Sequence, residues 1–454
     1  MAKYEIDMCR GSIFSKIALF SVPLILTGIL QLLYNAADII VVGQFAGKEA
    51  LAAVGSTGSL TNLIVNLFMG LSIGTSVVVS RFYGARDHKS IREAVHTSIT
   101  VSAIAGVILA VVGFSLSRPM LTLMDTPADV IDGSVRYMRI IFLGMPFNMV
   151  YNFGAAILRA VGDTRRPLYF LSIAGLANVG LNLIFVIVFH MAVAGVALAT
   201  IISQAISACF VIRCLMHAES EIRLDLKNLK INGKILLEIA RIGLPAGLQS
   251  SLFAISNVMI QSSVNSFGSD GTAAHSAVSN LEGFCYTSMN AVHQAIVTYV
   301  SQNMGAKQYK RMRKALAVCM LFVIVLGGAM CNLIYLFQRP LVSIYNGDSG
   351  VLEMAKARMC FMPLYFLCGV MEVSSGQMRG MGYSILPMIV SLTGACVLRI
   401  IWILTLFASV HTMEILMLSY PVSWIATTAA HYISYLIARR KFPKEDMPLE
   451  ASRT

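Results

Sequence analysis

Charge is scarce in this chain. Only 13% of its 454 residues are Asp, Glu, Lys or Arg, against roughly 25% in soluble globular domains. A fully water-facing surface cannot be built from so few. Strict apolar–polar alternation is also missing, so the apolar runs are continuous and a closed β-barrel is excluded. No Gly-x-x-x-x-Gly-Lys-Ser/Thr loop occurs, which removes the usual machinery for ATP. The nine cysteines are odd in number and show no Cys-x-x-Cys spacing, so neither a disulfide framework nor a metal site is indicated. Lys and Arg outnumber Asp and Glu by 35 to 23, but no stacking platform or basic–aromatic run accompanies them. Nucleic acid is therefore not an expected partner.

What the chain has instead is apolar length. Hydrophobic residues make up 57% of it, and the mean hydropathy is +0.73. Twelve runs reach the roughly 20 residues that a spanning helix needs: 14–42, 51–80, 95–116, 134–157, 168–189, 193–215, 239–266, 273–301, 314–337, 357–378, 386–408 and 413–438. With the N-terminus cytoplasmic, 27 of the 35 Lys and Arg fall on the inner side. That is the positive-inside bias, so the basic balance is a topology signal. Both termini are expected in the cytoplasm and the protein in the cell's inner (plasma) membrane. The first 16 residues are polar and no small-residue cleavage site follows helix 1, which is expected to stay in the mature protein.

The chain reads as two copies of one unit. Pro23 and Asn35 match Pro245 and Asn257 at an offset of 222. Gly84-Ala-Arg and Arg118-Pro119 match Gly305-Ala-Lys and Arg339-Pro340 at 221. Arg159-Ala-Val-Gly162 matches Arg379-Gly-Met-Gly382 at 220. The fold class is then an all-α polytopic membrane protein, with twelve helices in two six-helix bundles related by a parallel internal repeat around a central cleft. The expected parts are a cytoplasmic N-terminus (1–13), an N-lobe (14–216), a charged connector (217–238), a C-lobe (239–438) and a cytoplasmic tail (439–454).

Within the first apolar run one carboxylate stands out. Between Lys16 and Gly43, Asp38 is the only acid or base of ordinary pKa, and a charge at the centre of a bilayer costs roughly 2.5–3.5 kcal/mol on insertion scales. Gln31, Asn35 and Asp38 share a helix face at i, i+4, i+7, with Tyr34 beside them. Asn62 and Asn66, and Asn178 and Asn182, sit at i, i+4 on helices 2 and 5. Tyr137, Asn148 and Asn152 lie on helix 4, and Thr200 and Gln204 on helix 6. Facing the bundle interior, these would ring Asp38 with neutral oxygens, a shell suited to a proton or Na⁺. Low dielectric disfavours a lone charged carboxylate, the property a proton-coupled switch needs. The blander reading puts Asp38 near the outer interface in reach of water, and makes the Asn pairs interhelical glue. In the repeat, Asp38 has no twin, since the offset lands on Ile260.

The second half has its own ionisable set. Glu282, Tyr286, Met289 and His293 share a face of helix 8, Glu372 lies in helix 10 and Arg399 in helix 11. A buried Arg399 calls for a carboxylate, and Glu372 or Glu282 is the available partner. Such a pair is either a structural salt bridge or a substrate site. His275 and His411 fall near span ends, where solvation is expected.

Several short motifs in register carry a family resemblance: Pro23 with Asp38 and Gly43, Leu51-Ala-Ala53, Gly84-Ala-Arg-Asp87, and above all Arg159-Ala-Val-Gly-Asp-Thr-Arg-Arg-Pro167. From Ile13 to Arg440 the chain resembles the multidrug and toxic compound extrusion (MATE) family. The resemblance implies export of organic, often cationic compounds in exchange for H⁺ or Na⁺, with Asp38 at the centre of an N-lobe coupling site. Tyr137, Asn178 and Thr200 match other positions of that site. Asn182 departs from it, because many members carry Asp there, and this leaves one carboxylate in the lobe and favours H⁺.

The reading is therefore of a secondary antiporter, expected as a monomer, with a small-molecule substrate and a coupling ion as partners and no cofactor. Cavity or substrate candidates are Gln31, Tyr34, Asn35, Asn66, Asn152, Gln204, Glu282, His293, Glu372 and Arg399. No metal site is expected beyond Na⁺ at Asp38. The alternatives are a lipid-linked precursor flippase of the same broad superfamily, or an integral-membrane enzyme or receptor. Against the flippase stand twelve rather than more spans and a cavity not rich in Arg or Lys. No paired catalytic carboxylates, Ser–His arrangement or His/Cys cluster favours an enzyme, and no extramembrane domain favours a receptor.

Overall fold

The computed structural model describes residues 4–46, 48–124, 126–127, 130–218, 221–443 and 445–446, and the side chain of Asn62 is not among those described. Among the described residues the regular structure is entirely helical. The first half contains α1 (Ile13–Val41), α2 (Lys48–Ala85), α3 (His88–Leu123), α4 (Ile131–Leu143), α5 (Met145–Ala160), α6 (Arg165–Leu183) and α7 (Ala192–Met216). The second half contains α8 (Gly233–Asn265), α9 (Gly268–Gly305), α10 (Tyr309–Leu336), α11 (Gln338–Ser343), α12 (Ser349–Arg358) and α13 (Phe366–Gly380). It ends with α14 (Ile385–Ser391), α15 (Leu398–Trp402) and α16 (Met413–Ala438).

Seven described segments are long and apolar enough to cross a membrane, and two bent helix pairs raise the number to nine. Helices α8, α9 and α16 have spanning length, at 33, 38 and 26 residues, but are more polar. Together these make the twelve segments expected from the sequence. Two expected spans differ from straight helices. The fourth breaks between Leu143 and Met145 with a bend of 46°, and the tenth breaks between Leu364 and Phe366 with a bend of 44°. Pro146 and Pro363 stand beside these breaks; proline removes a backbone donor and crowds the preceding turn.

The repeat is written into the backbone. Arg86 and Lys307 are both left-handed at φ 56°, and Gly162 and Gly382 both at φ 89°. These pairs stand 221 and 220 residues apart, the same offsets as the sequence matches. A non-glycine residue in that region is uncommon, so its recurrence at equivalent turns marks two copies of one chain path. The Arg159–Pro167 motif serves this path. Asp163 is fully buried and accepts from the backbone N–H groups of Arg165 and Arg166, both at 3.1 Å, while Arg166 Nε lies 2.5 Å from its other oxygen. Burial pushes this carboxyl above its ordinary range, and the Arg166 N–H and guanidinium pull against that shift. The result is a charged start to α6, where the first N–H groups lack helical partners.

Two compact units divide the chain: residues 1–7 with 26–247, and 8–25 with 248–454. α1 is divided just past Pro23 and α8 just past Pro245. In unit 1, α3 packs against α4 and α5, and Leu109, Met138, Phe142, Met149 and Phe153 are fully or almost fully buried among them. α2 also meets the first part of α8 there. A Cβ placed on Gly70 would sit 2.3 Å from the Gly243 oxygen and from the Gly247 nitrogen, and one on Gly74 would sit 2.3 Å from the Ile239 oxygen. Backbone packing of this kind is how helices associate where lipid removes the hydrophobic drive between them. An Arg81–Glu238 ion pair joins the same two helices. In unit 2, α9 packs against α10, α12 and α13.

Candidate functional site

Asp38 lies in the last turn of α1, half-buried. Its neighbour is α6, which carries Asn178 and Asn182 on one side, a turn apart. Both amides are buried, Asn182 completely. Asn182 Nδ2 donates to Asp38 Oδ1 and also reaches Asn178 Oδ1 at 3.3 Å. Asn182 Oδ1 is buried with no hydrogen-bond donor among the described residues. One turn earlier on α1, the Tyr34 hydroxyl donates to the Ser172 carbonyl at 3.2 Å, and its ring lies over Gly175. α1 and α6 are thus fastened at two levels. Tyr137 on α4 packs against both apolar clusters flanking the site.

Among the described residues, no other polar group named from the sequence hydrogen-bonds to Asp38. The Thr200 hydroxyl donates to the Val196 carbonyl of its own helix at 3.0 Å. Asn152 donates to Asn148, to the backbone oxygen at 2.8 Å and to Oδ1 at 3.0 Å, so this pair satisfies itself along one helix. Gln31 and Asn35 are exposed, and Asn66 and Gln204 are half-buried. Helical spacing placed these residues on faces. It could not say whether a hydroxyl or amide would close onto its own backbone.

The second half holds a separate charged set in unit 2. Glu282 is paired, but with Arg358, through two parallel bonds of 2.9 Å. Arg358 Nε also donates to His275 Nδ1 at 3.0 Å, which corrects the expectation that His275 is merely solvated. Arg399, expected to face Glu282 or Glu372, has no carboxylate within ion-pair distance among the described residues. Its Nε donates to Ser423 Oγ at 2.9 Å, and its guanidinium sits 4.2 Å from the Tyr420 ring and 5.7 Å from that of Trp424. Delocalised charge over aromatic faces replaces the expected anion. Glu372 is buried beside His293, whose Nδ1 lies 2.7 Å from the Glu372 carbonyl and 3.6 Å from its carboxylate. Met289 packs against Gly327 and Gly369 and belongs to the core. Tyr286 on the same helix is exposed.

Arg358, Arg379 and Gln249 join this buried polar set without being among the candidates drawn from the sequence. Arg379 is buried and donates to Gln249 Oε1 at 2.7 Å. The signal for Arg379 was its place in the repeat opposite Arg159, and for Arg358 its position at the first turn of an apolar run. Among the described residues no group of three or more His, Cys, Asp or Glu could hold a metal ion.

Comparisons with known proteins accord with this architecture. The MatE family model matches residues 23–184 and 245–405, one match in each half. The chain is similar to the "Probable multidrug resistance protein YoeA" of Bacillus subtilis, 28% identical over 84% of both chains. It is also similar to the "Probable multidrug resistance protein YpnP" of the same organism, 25% identical over 96% of this chain and 98% of that one. Among solved structures, an outward-facing multidrug resistance MATE transporter of the MOP superfamily superposes with a TM-score of 0.88. That match is 21% identical and covers 100% of this chain and 99% of the other.

Proposed function

The chain belongs to the MatE family of multi-pass membrane transporters, and on that premise we propose that it is a secondary antiporter exporting organic, often cationic compounds in exchange for H⁺ by alternating access. The single observation that carries the coupling is the Asp38–Asn182 contact between α1 and α6. As a carboxylate, Asp38 accepts the Asn182 amide and ties α1 to α6. Proton uptake at Asp38 converts an acceptor into a donor. The buried Asn182 Oδ1, which has no donor among the described residues, then becomes the partner that a turned amide would offer. Protonation thus rewrites the α1–α6 contact without any second acid. In the carboxylate state, Asn178 holds the same amide from one turn away.

A second reading, Na⁺ in place of H⁺, is favoured by that same unsatisfied oxygen. Asp38, Asn178 and Asn182 supply hard oxygen donors of the type alkali cations take. The positive-inside bias supports cytoplasmic termini and a place in the cell's inner membrane. The names of the two relatives, both multidrug resistance proteins, support a broad substrate class.

The test is transport of a fluorescent organic cation in proteoliposomes, driven separately by a ΔpH and by a Na⁺ gradient. Uptake should follow ΔpH and be lost in Asp38→Asn. Uptake that follows only Na⁺ selects the second reading. Undiminished exchange by Asp38→Asn under both gradients overturns both.

A further inference from the structure

The segment joining α7 to α8 builds a basic cavity that the transport reading leaves unused. Its volume is about 1200 Å³, and it lies between the first turns of α3 and the strap 221–232 in unit 1. Four cations line it: Arg92, Arg223, Lys227 and Lys230. All four are exposed, and none has an ion-pair partner among the described residues. Two carboxylates share the lining, but both are turned to the strap's own frame. Glu93 accepts from Asn232 Nδ2 at 2.7 Å. Asp225 accepts from the Lys227 backbone at 3.0 Å and from Asn228 Nδ2 at 2.6 Å.

This frame is built, not draped. His96, almost fully buried in the wall, accepts the Asp225 backbone N–H at Nε2 (3.1 Å), while its Nδ1 donates to the Arg92 carbonyl at 2.7 Å. The Asn232 N–H donates to Thr97 Oγ1 at 3.0 Å, and the Leu224 N–H to the Leu215 carbonyl at 3.0 Å. Because the strap joins the ends of two spanning helices, it must run at the level of the membrane surface. Between its basic residues it exposes Leu226, Leu229 and Ile231. An excess of cations over carboxylates around a cavity, interleaved with exposed apolar side chains at a membrane surface, matches one kind of molecule.

We propose that this cavity binds the phosphate-bearing headgroup of an anionic phospholipid, whose acyl chains lie against Leu226, Leu229 and Ile231. The inference rests on the proposed topology only in assigning the site to the cytoplasmic leaflet. A juxtamembrane cation contributes about fivefold to the affinity for an anionic lipid surface, and a soluble phosphate compound would have no use for the apolar side chains.

The full chain, purified in neutral detergent, is titrated by thermophoresis with dioctanoyl phosphatidylglycerol, dioctanoyl phosphatidylcholine and inorganic phosphate. Phosphatidylglycerol should bind at least about tenfold more tightly than phosphatidylcholine, in keeping with several contributing cations. The triple variant R92Q/K227Q/K230Q should bring the two lipids within about twofold of each other. R92K/K227R/K230R, and a control on another basic surface, K314Q/R440Q/K441Q, should keep the preference. Equal binding of both lipids by the unaltered chain, retained preference in the Gln triple, or its loss in the control overturns the proposal. So does displacement of phosphatidylglycerol by equimolar inorganic phosphate, which would assign the cavity to a soluble anion. Binding is read without transport, so failure of the antiport reading leaves this result standing, and the reverse holds too.

Discussion

Asn182 on α6 donates its amide to the Asp38 carboxylate on α1, 144 positions away in sequence. A hydrogen bond to a charged group is worth about 1.5–3 kcal/mol, enough to hold one helix against another and small enough to break in a transport cycle. Asn182→Ala is therefore expected to lower ΔpH-driven exchange by about tenfold or more, since about 1.4 kcal/mol corresponds to that factor. Flux in proteoliposomes checks this, with thermal unfolding as the control for folding. An unchanged rate would remove Asn182 from the coupling step.

Arg358 and Arg399 are both buried cations in unit 2, yet their partners differ. Arg358 makes a bidentate pair with Glu282. Removing one member of a buried pair costs about 3–5 kcal/mol because the other charge is stranded. Arg399 relies on Ser423 and on aromatic faces, contacts of about 0.5–2 kcal/mol. Thermal unfolding in detergent should show Arg358→Leu to be clearly more damaging than Arg399→Gln. Adding Glu282→Gln to Arg358→Leu should recover part of the loss, a coupling that a double-mutant cycle reads directly. Purely additive losses would mean that the pair contributes nothing as a pair.

The α2–α8 crossing makes a sharper steric prediction. A side chain at Gly70 meets backbone atoms at 2.3 Å, which no rotamer change relieves, so Gly70→Val must part the two helices. Overpacking of this sort costs about 1–3 kcal/mol or more. On the same helix, a Cβ placed on Gly58 meets no atom of the described residues within 4 Å. Gly58→Ala should be neutral or stabilising by up to about 1 kcal/mol through helix propensity. Melting temperatures of the two variants side by side decide it: equal values would contradict the close crossing.

Much of the helical framework was legible because lipid imposes simple demands. A chain that crosses a bilayer must satisfy its backbone within each segment, so apolar length alone located the helices to within several residues. The breaks near Pro146 and Pro363 were marked by proline, although the bend angles were not. The repeat was readable as matched motifs, and the left-handed turns at Arg86 and Lys307, Gly162 and Gly382 give its physical content: particular backbone torsions recur because the same turns are made twice.

The partners within the candidate site belonged to another class of fact. Sequence spacing determined that Asp38 is the lone carboxylate of its run and that Asn178 and Asn182 share a face, because helical periodicity fixes which residues of one helix lie together. It left open which helix meets which, and therefore gave Arg399 a carboxylate and Glu282 the wrong cation. Those pairings are decided by tertiary packing. Thr200 and Asn152 close onto their own helices because a backbone carbonyl one turn away is always within reach, and Arg399 settles over Tyr420 because two aromatic rings arrive from α16. The cost of Asp38 was written in the sequence, but the amide that meets it came only from the approach of α6 to α1.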